Sequence, residues 1–350
     1  MNINVDIANI GVYTLLSRQC QHRKKERIMD KAIKEKHVVF GTGPVGIAVA
    51  QSLISRGKKV TVVNRSGKIP TAFAEAQVQV VSCDLLNPAV VLKAAEGASH
   101  IYHCANPLYH QWATILPSMQ ASMIEAALKN DAVLVVAENL YMYARGVDKI
   151  TDSTQISPPT RKGQIRQELA LKLEKAGVEL GLKWVSVRAS DYYGPWAGYQ
   201  SVFGTDRFLD VIQKGKNPGT LGKLDVLHSY TFLGDFGEAL VLAGLDSKSH
   251  QRSWICPNSP ATSTRTVAQI FTKNWPVALS KNVKFSSIPK FALSLIGLFD
   301  PVVRELKEML YQKEEPYVVE GSDFEKAFGL KATPLEMGVM KTLEWYQSQV

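Results

Sequence analysis

From His37 onward, short unbroken apolar runs alternate with longer stretches in which apolar residues recur every three or four positions. The runs are His37-Val38-Val39-Phe40, Lys59-Val60-Thr61-Val62-Val63-Asn64, and segments 78–84, 101–107, 132–137 and 184–188. Runs with no polar face predict strands buried on both sides, as in a parallel sheet. Between the first two, Val45, Val49 and Leu53 fall at helical spacing before a Gly57 stop signal. Segments 89–96, 117–129 and 163–176 carry the same helical period. Strand–helix alternation of this length predicts an α/β fold built on a doubly wound parallel sheet. Ligands of such sheets sit beyond the strand carboxyl ends, which brings Asp84, Asn106 and Asn139 near a site on topology alone.

The first strand runs into Gly41-Thr42-Gly43-Pro44-Val45-Gly46, a G-x-G-x-x-G that opens the first helix. Strand, glycines, helix and strand within about thirty residues form the context that gives this motif meaning. The first glycine allows the turn, the second admits a pyrophosphate to the backbone, and the third lets the helix pack close. A Rossmann domain binding a dinucleotide is therefore expected. NAD is usually held by an acid at the end of the second strand, whereas that position here reads Asn64-Arg65-Ser66-Gly67-Lys68. A guanidinium there suits a ribose 2′-phosphate, so NADP(H) is preferred, with NAD(H) second. The expected organisation is an N-terminal extension over 1–36, a Rossmann domain over 37–198, and a smaller substrate lobe over 199–350. Within that lobe, about 228–256 returns to the sheet. Beyond Tyr199 the rhythm dissolves. There 236–245 predicts a helix, Thr262 or Ser263 a helix cap, and 289–299 and 301–311 two short helices of lobe core.

Charge and cysteine usage narrow the class. The net charge of +9 is uneven, for residues 1–37 hold eight Lys/Arg against four Asp/Glu, leaving +5 for the rest. No arginine-rich or aromatic-interleaved basic stripe points to nucleic acid, and no apolar run reaches the length of a membrane span. Cys20, Cys83, Cys104 and Cys256 lie far apart with no metal spacing, which fits reduced thiols in a cytoplasmic protein.

The chain resembles the atypical, extended branch of the short-chain dehydrogenase/reductase family, the NAD-dependent epimerase/dehydratase-like proteins. The resemblance rests on Gly41-x-Gly43-x-x-Gly46, the strand-end Asp84, the Cys104-Ala105-Asn106-Pro107 loop and Arg188-Ala189-Ser190-Asp191-Tyr192-Tyr193-Gly194-Pro195. His228-Ser229-Tyr230-Thr231-Phe232-Leu233-Gly234-Asp235 adds a segment that meets substrate in nucleotide-sugar relatives. The resemblance implies cofactor contacts from Gly41 to Gly46, at Asn64, Arg65, Ser66 and Asp84, and from Ala105 to Pro107.

The reaction residues depart from the family pattern. The usual Tyr-x-x-x-Lys pair falls on Thr160 and Gln164, and the usual Ser/Thr on Asn139. A threonine hydroxyl is far less acidic than a phenol of pKa ~10. The proton donor is therefore sought at Tyr143 or Tyr141, with Asn139 and Lys162 as further catalytic candidates. His103 and His110 are alternative acids. His110, Asp191, Tyr193 and His228 are substrate-binding candidates. Asp191 and His228 stand where relatives hold a diphosphate, and a carboxylate facing a diphosphate disfavours a nucleotide sugar. The reading is an NAD(P)(H)-dependent oxidoreductase or epimerase-type enzyme for a small carbonyl or alcohol, as a monomer or homodimer, with no metal. The alternative is a non-catalytic NADP(H)-sensing or partner-binding protein on the same fold.

Overall fold

The computed structural model describes residues 35–74, 78–275, 283–288 and 305–349, so Cys20, most of the N-terminal extension and the segment 289–299 lie outside the described residues. The strands that build the main sheet and its crevice are β1 (Lys36–Phe40), β2 (Lys59–Asn64), β3 (Gln79–Ser82), β4 (His100–His103), β5 (Val133–Glu138), β6 (Lys183–Arg188), β7 (Asp191–Tyr193), β8 (Tyr230–Phe232) and β9 (Arg252–Ile255). All except β7 and β8 form one parallel sheet in the order β9-β6-β5-β4-β1-β2-β3. The strand order reverses between β1 and β4, which opens a crevice beyond their carboxyl ends. β7 and β8 pair with each other in parallel beside that crevice.

The principal helices are α1 (Pro44–Ser55), α2 (Pro88–Ala94), α3 (Trp112–Asn130), α4 (Arg161–Leu180), α5 (Leu233–Leu245), α6 (Thr264–Lys273) and α7 (Leu335–Gln349). Side-chain alternation along each strand decides which helix it meets. Val39, Val62, Tyr102, Val135 and Val185 join the core with α1 and α5. Val38, Val63, Ile101, Leu134 and Val136 join the other core with α2, α3 and α4. Each fully buried Val or Leu contributes at most about 1.5–3 kcal/mol, so two such layers hold the strand ends rigidly in register. A further aromatic cluster of Phe203, Phe208, Phe271 and Tyr346 ties α6 and α7 to β7 and β8 through Tyr193 and Phe232.

Two boundaries differ from the sequence expectation. β4 stops at His103, because residues 104–107 leave the sheet to pass over the glycine turn, where Cys104 N donates to Phe40 O at 2.9 Å. α3 starts at Trp112, five residues before Pro117, because Trp112 and Leu116 are both buried on one face. Pro117 thus sits inside the helix at the cost of one backbone hydrogen bond. Cys83, Cys104 and Cys256 are free thiols. No helix among the described residues is long and apolar enough to cross a membrane.

Candidate active site

The glycine turn is built by steric necessity. Gly41 has φ +100°, and a Cβ there would lie 2.7 Å from the Ala105 backbone. A Cβ on Gly46 would lie 1.8 Å from Gly41 O, so α1 can approach β1 only with glycine there. Gly43, between them, has nothing within 4 Å of its Cβ position and caps α1 with no side-chain hydrogen bond. Pro44 takes the first helical position, where its missing N–H costs nothing. Space beside Gly43 and unsatisfied N–H groups at the start of a helix fit a phosphate pair.

A cavity of about 930 Å³ begins at this turn and runs across the carboxyl ends of the strands. Gly41 to Val45, Asn64, Arg65, Asp84 and Ala105 to Pro107 all line it. Asn64 shapes the β2 turn, since its Oδ1 accepts from Gly67 N at 2.7 Å and its Nδ2 donates to Lys68 O at 2.9 Å. Ser66 hydrogen-bonds Asn64 within that turn and does not line the cavity. Arg65 is exposed at the rim. Asp84 Oδ1 accepts from Leu86 N at 3.1 Å and faces the same end. Gly46 acts by packing and lies behind the cavity wall.

The far end of the cavity separates the two tyrosine candidates. Tyr141 lines it, and its hydroxyl lies 2.6 Å from that of Tyr109, which also lines it. Burial raises the Tyr141 phenol well above its ordinary value, and pushes Tyr109 up to about 12 despite the Tyr141 hydrogen bond. Both are neutral phenols near pH 7. Tyr143 is elsewhere: its hydroxyl accepts from Arg188 Nη1 at 2.8 Å, and Arg188 Nε donates to Glu138 Oε2 at 3.0 Å. Tyr143 does not line the cavity, which removes it as the donor candidate. Asn139 lines the cavity and its Oδ1 accepts from Tyr141 N at 3.2 Å, so it orients the tyrosine loop.

On α4 the two positions where the sequence reading expects the usual pair do not reach the cavity. Thr160 is the N-cap, accepting from Gly163 N at 3.1 Å, and Gln164 is exposed. Lys162 is buried and ion-paired with Glu305 and, at 2.6 Å, with Glu308; it lies outside the cavity lining. The residue α4 does send into the cavity is Arg166, which the sequence reading passed over. Its Nη2 donates to Asn106 Oδ1 at 3.0 Å, and its guanidinium lies 4.3 Å from the centre of the Trp112 ring.

Of the substrate candidates, only Asp191 lines the cavity. Its Oδ2 lies 2.7 Å from Lys313 Nζ and 3.1 Å from His228 Nε2. Burial alone would raise the Asp191 carboxyl, but Lys313 and His228 outweigh it and hold it well below the carboxylate range. Its charge is therefore compensated, and the repulsion of a diphosphate expected at this position is cancelled. His228 is buried behind Asp191, with Nδ1 2.9 Å from Gln312 O, and burial lowers its pKa. Tyr193 is fully buried against Phe232 in the aromatic cluster, and His110 is exposed on the turn before α3. His103 lines the cavity, yet burial, aided by Arg166, pushes it down to about 4. The ring is therefore neutral near pH 7 and is no imidazolium acid. Tyr109, Arg166 and Lys313 escaped the sequence reading. The one available signal was Arg166 four residues after Lys162 on a single helix face.

The sequence matches the NAD dependent epimerase/dehydratase family over residues 38–254. A comparison with curated proteins finds no match. The fold is similar to that of Pal from Bacillus thuringiensis, at 16% identity and a TM-score of 0.72, over 90% of this chain and 100% of that one. It is similar to UDP-glucose 4-epimerase from Thermotoga maritima with UDP-glucose, at 14% identity and TM-score 0.70, over 90% and 99% of the two chains. The Thermus thermophilus UDP-glucose 4-epimerase, in complex with NAD, gives 18% identity and TM-score 0.70, over 90% and 100%. Such identities carry the fold alone. The family match covers more than half the sequence and includes the glycine turn described above, and on it the chain belongs to the NAD dependent epimerase/dehydratase family.

Proposed function

We propose that the protein is an NADP(H)-dependent oxidoreductase for a small carbonyl or alcohol, with Tyr141 as the proton donor. The observation that carries this reading is that one cavity joins the glycine turn to the Tyr141–Tyr109 hydroxyl pair. Gly41, Gly43 and the start of α1 would hold the pyrophosphate, with Gly46 letting the helix approach, and Arg65 would hold a 2′-phosphate at the end of β2, which carries no carboxylate. Residues of the glycine turn would hold a reduced nicotinamide coenzyme, whose chemistry when bound would be hydride donation to a carbonyl carbon. Tyr141 gives its phenolic proton to the oxygen as negative charge develops on it, and Tyr109, 2.6 Å away, returns a proton to Tyr141 and is itself reprotonated from water entering the cavity. Asn139 fixes the loop that aims Tyr141.

A second reading keeps one observation in its favour: the helix that usually carries the Tyr–Lys pair uses Thr160 as a cap. That reading is a protein that binds NADP(H) without turning it over. NADPH oxidation against a panel of small aldehydes and ketones, with UDP-glucose and NADP⁺ as a separate arm, decides between them. Turnover with a carbonyl, lost in Tyr141→Phe and kept in Tyr143→Phe, supports the oxidoreductase. Tight NADPH binding with no turnover on any arm favours the sensor.

A further inference from the structure

The inner end of the cavity carries an unbalanced charge. Glu138 is paired with Arg188, and Asp191 with Lys313. Arg166 forms no ion pair among the described residues: Glu138, the carboxylate whose charge reaches it, is already paired with Arg188, its polar contact is the neutral Asn106 amide, and its Nε is buried with no hydrogen-bond partner. Its side chain is only 7% exposed. A buried guanidinium in this state is expensive unless a ligand completes it. The walls beside it are apolar, with Trp112, Leu116 and Met119 from α3 and Leu169 from α4.

We propose that Arg166 is a substrate-binding residue that selects a carboxylate, so that the substrate is an oxo acid or hydroxy acid with an apolar chain. The inference rests on the oxidoreductase reading of this cavity and names the substrate class of that same site. One uncompensated positive charge matches one negative charge. The planar fork of an arginine matches a carboxylate in two parallel hydrogen bonds. The Trp112 ring and the apolar α3 face would take the chain, while Tyr109 and Tyr141 face the carbonyl.

The test is calorimetric titration of the full chain, loaded with NADP⁺, with 2-oxo acids from pyruvate to 2-oxooctanoate. Each acid is run beside its methyl ester, with inorganic phosphate as a further arm. The acids are expected to bind about 10-fold or more tightly than their esters. Arg166→Met should erase that preference and leave NADPH affinity unchanged, and Arg166→Lys should restore part of it. Acids and esters binding alike, no acid binding, or a preference for phosphate would each overturn the proposal. So would Arg166→Met weakening NADPH as much as the acids, since the guanidinium would then belong to the cofactor. Should the wild-type chain take no NADP(H), the cofactor reading fails on its own. The acid–ester comparison on the cofactor-free chain then still decides the role of Arg166.

Discussion

The two ends of the cavity are made of different material. At the glycine turn the working groups are backbone atoms, and the side chains matter mainly by their absence at Gly41, Gly43 and Gly46. At the far end the working groups are side chains brought from the loop after β5, the turn before α3, α4, β7 and the segments holding His228 and Lys313: Tyr141, Tyr109, Arg166 and the Asp191–Lys313–His228 set. A backbone site admits few sequence solutions, so it keeps the family pattern. A side-chain site can be rebuilt residue by residue, and here Thr160 caps α4 and Gln164 is exposed while Arg166 lines the cavity.

The sharpest way to break this comparison is at the turn. Gly46→Val forces atoms into the space of Gly41 O and is expected to abolish NADPH binding, with a loss of several kcal/mol in folding stability, read by calorimetry and thermal melting. Retained NADPH affinity would show that the turn is no cradle. At the far end, Tyr141→Phe should cut turnover by about 100- to 10,000-fold with NADPH affinity unchanged. Tyr143→Phe should leave turnover near wild type and cost about 1–3 kcal/mol of stability through the partner lost by Arg188.

A stability effect of similar size is expected at the ion-paired carboxylate. Lys313→Met leaves Asp191 without its cation and should cost about 2–4 kcal/mol near pH 7, discounted because the carboxylate is partly solvated. The sign with pH follows from the depressed Asp191 pKa. Its stabilisation is full above the unfolded value of about 3.9 and is lost as pH falls through the lower folded value. Wild-type stability should therefore fall below about pH 4, and the gap between wild type and Lys313→Met should close there. Denaturant midpoints at stepped pH measure both. The smallest effect lies at the rim, where Arg65→Ala should weaken NADPH about 10-fold and leave NADH unchanged. Equal weakening of both coenzymes would remove Arg65 as the discriminating residue.

Much of the fold was legible in the sequence because burial on both faces forces unbroken apolar strands, as in Val38 to Phe40 and Val60 to Val63. The glycine turn was legible for the steric reason given above. The start of α3 was not, because a proline usually marks a helix start, and the burial of Trp112 overrode that preference. The far end was only half legible. Tyr141 and Tyr143 are equivalent in the sequence, and only the loop after β5 turns one toward Tyr109 and the other toward Arg188. Lys313 lies more than a hundred residues from Asp191, and no local pattern announces that contact. Asp191 alone reads as a repelling charge; with Lys313 beside it the same carboxylate is compensated.

The central claim is that a single cavity receives a phosphorylated dinucleotide at the glycine turn. Titration calorimetry of the full chain with NADPH and with NADH tests it most directly. Saturable binding at one site per chain, tighter for NADPH, is the predicted result, and no heat with either coenzyme would contradict it.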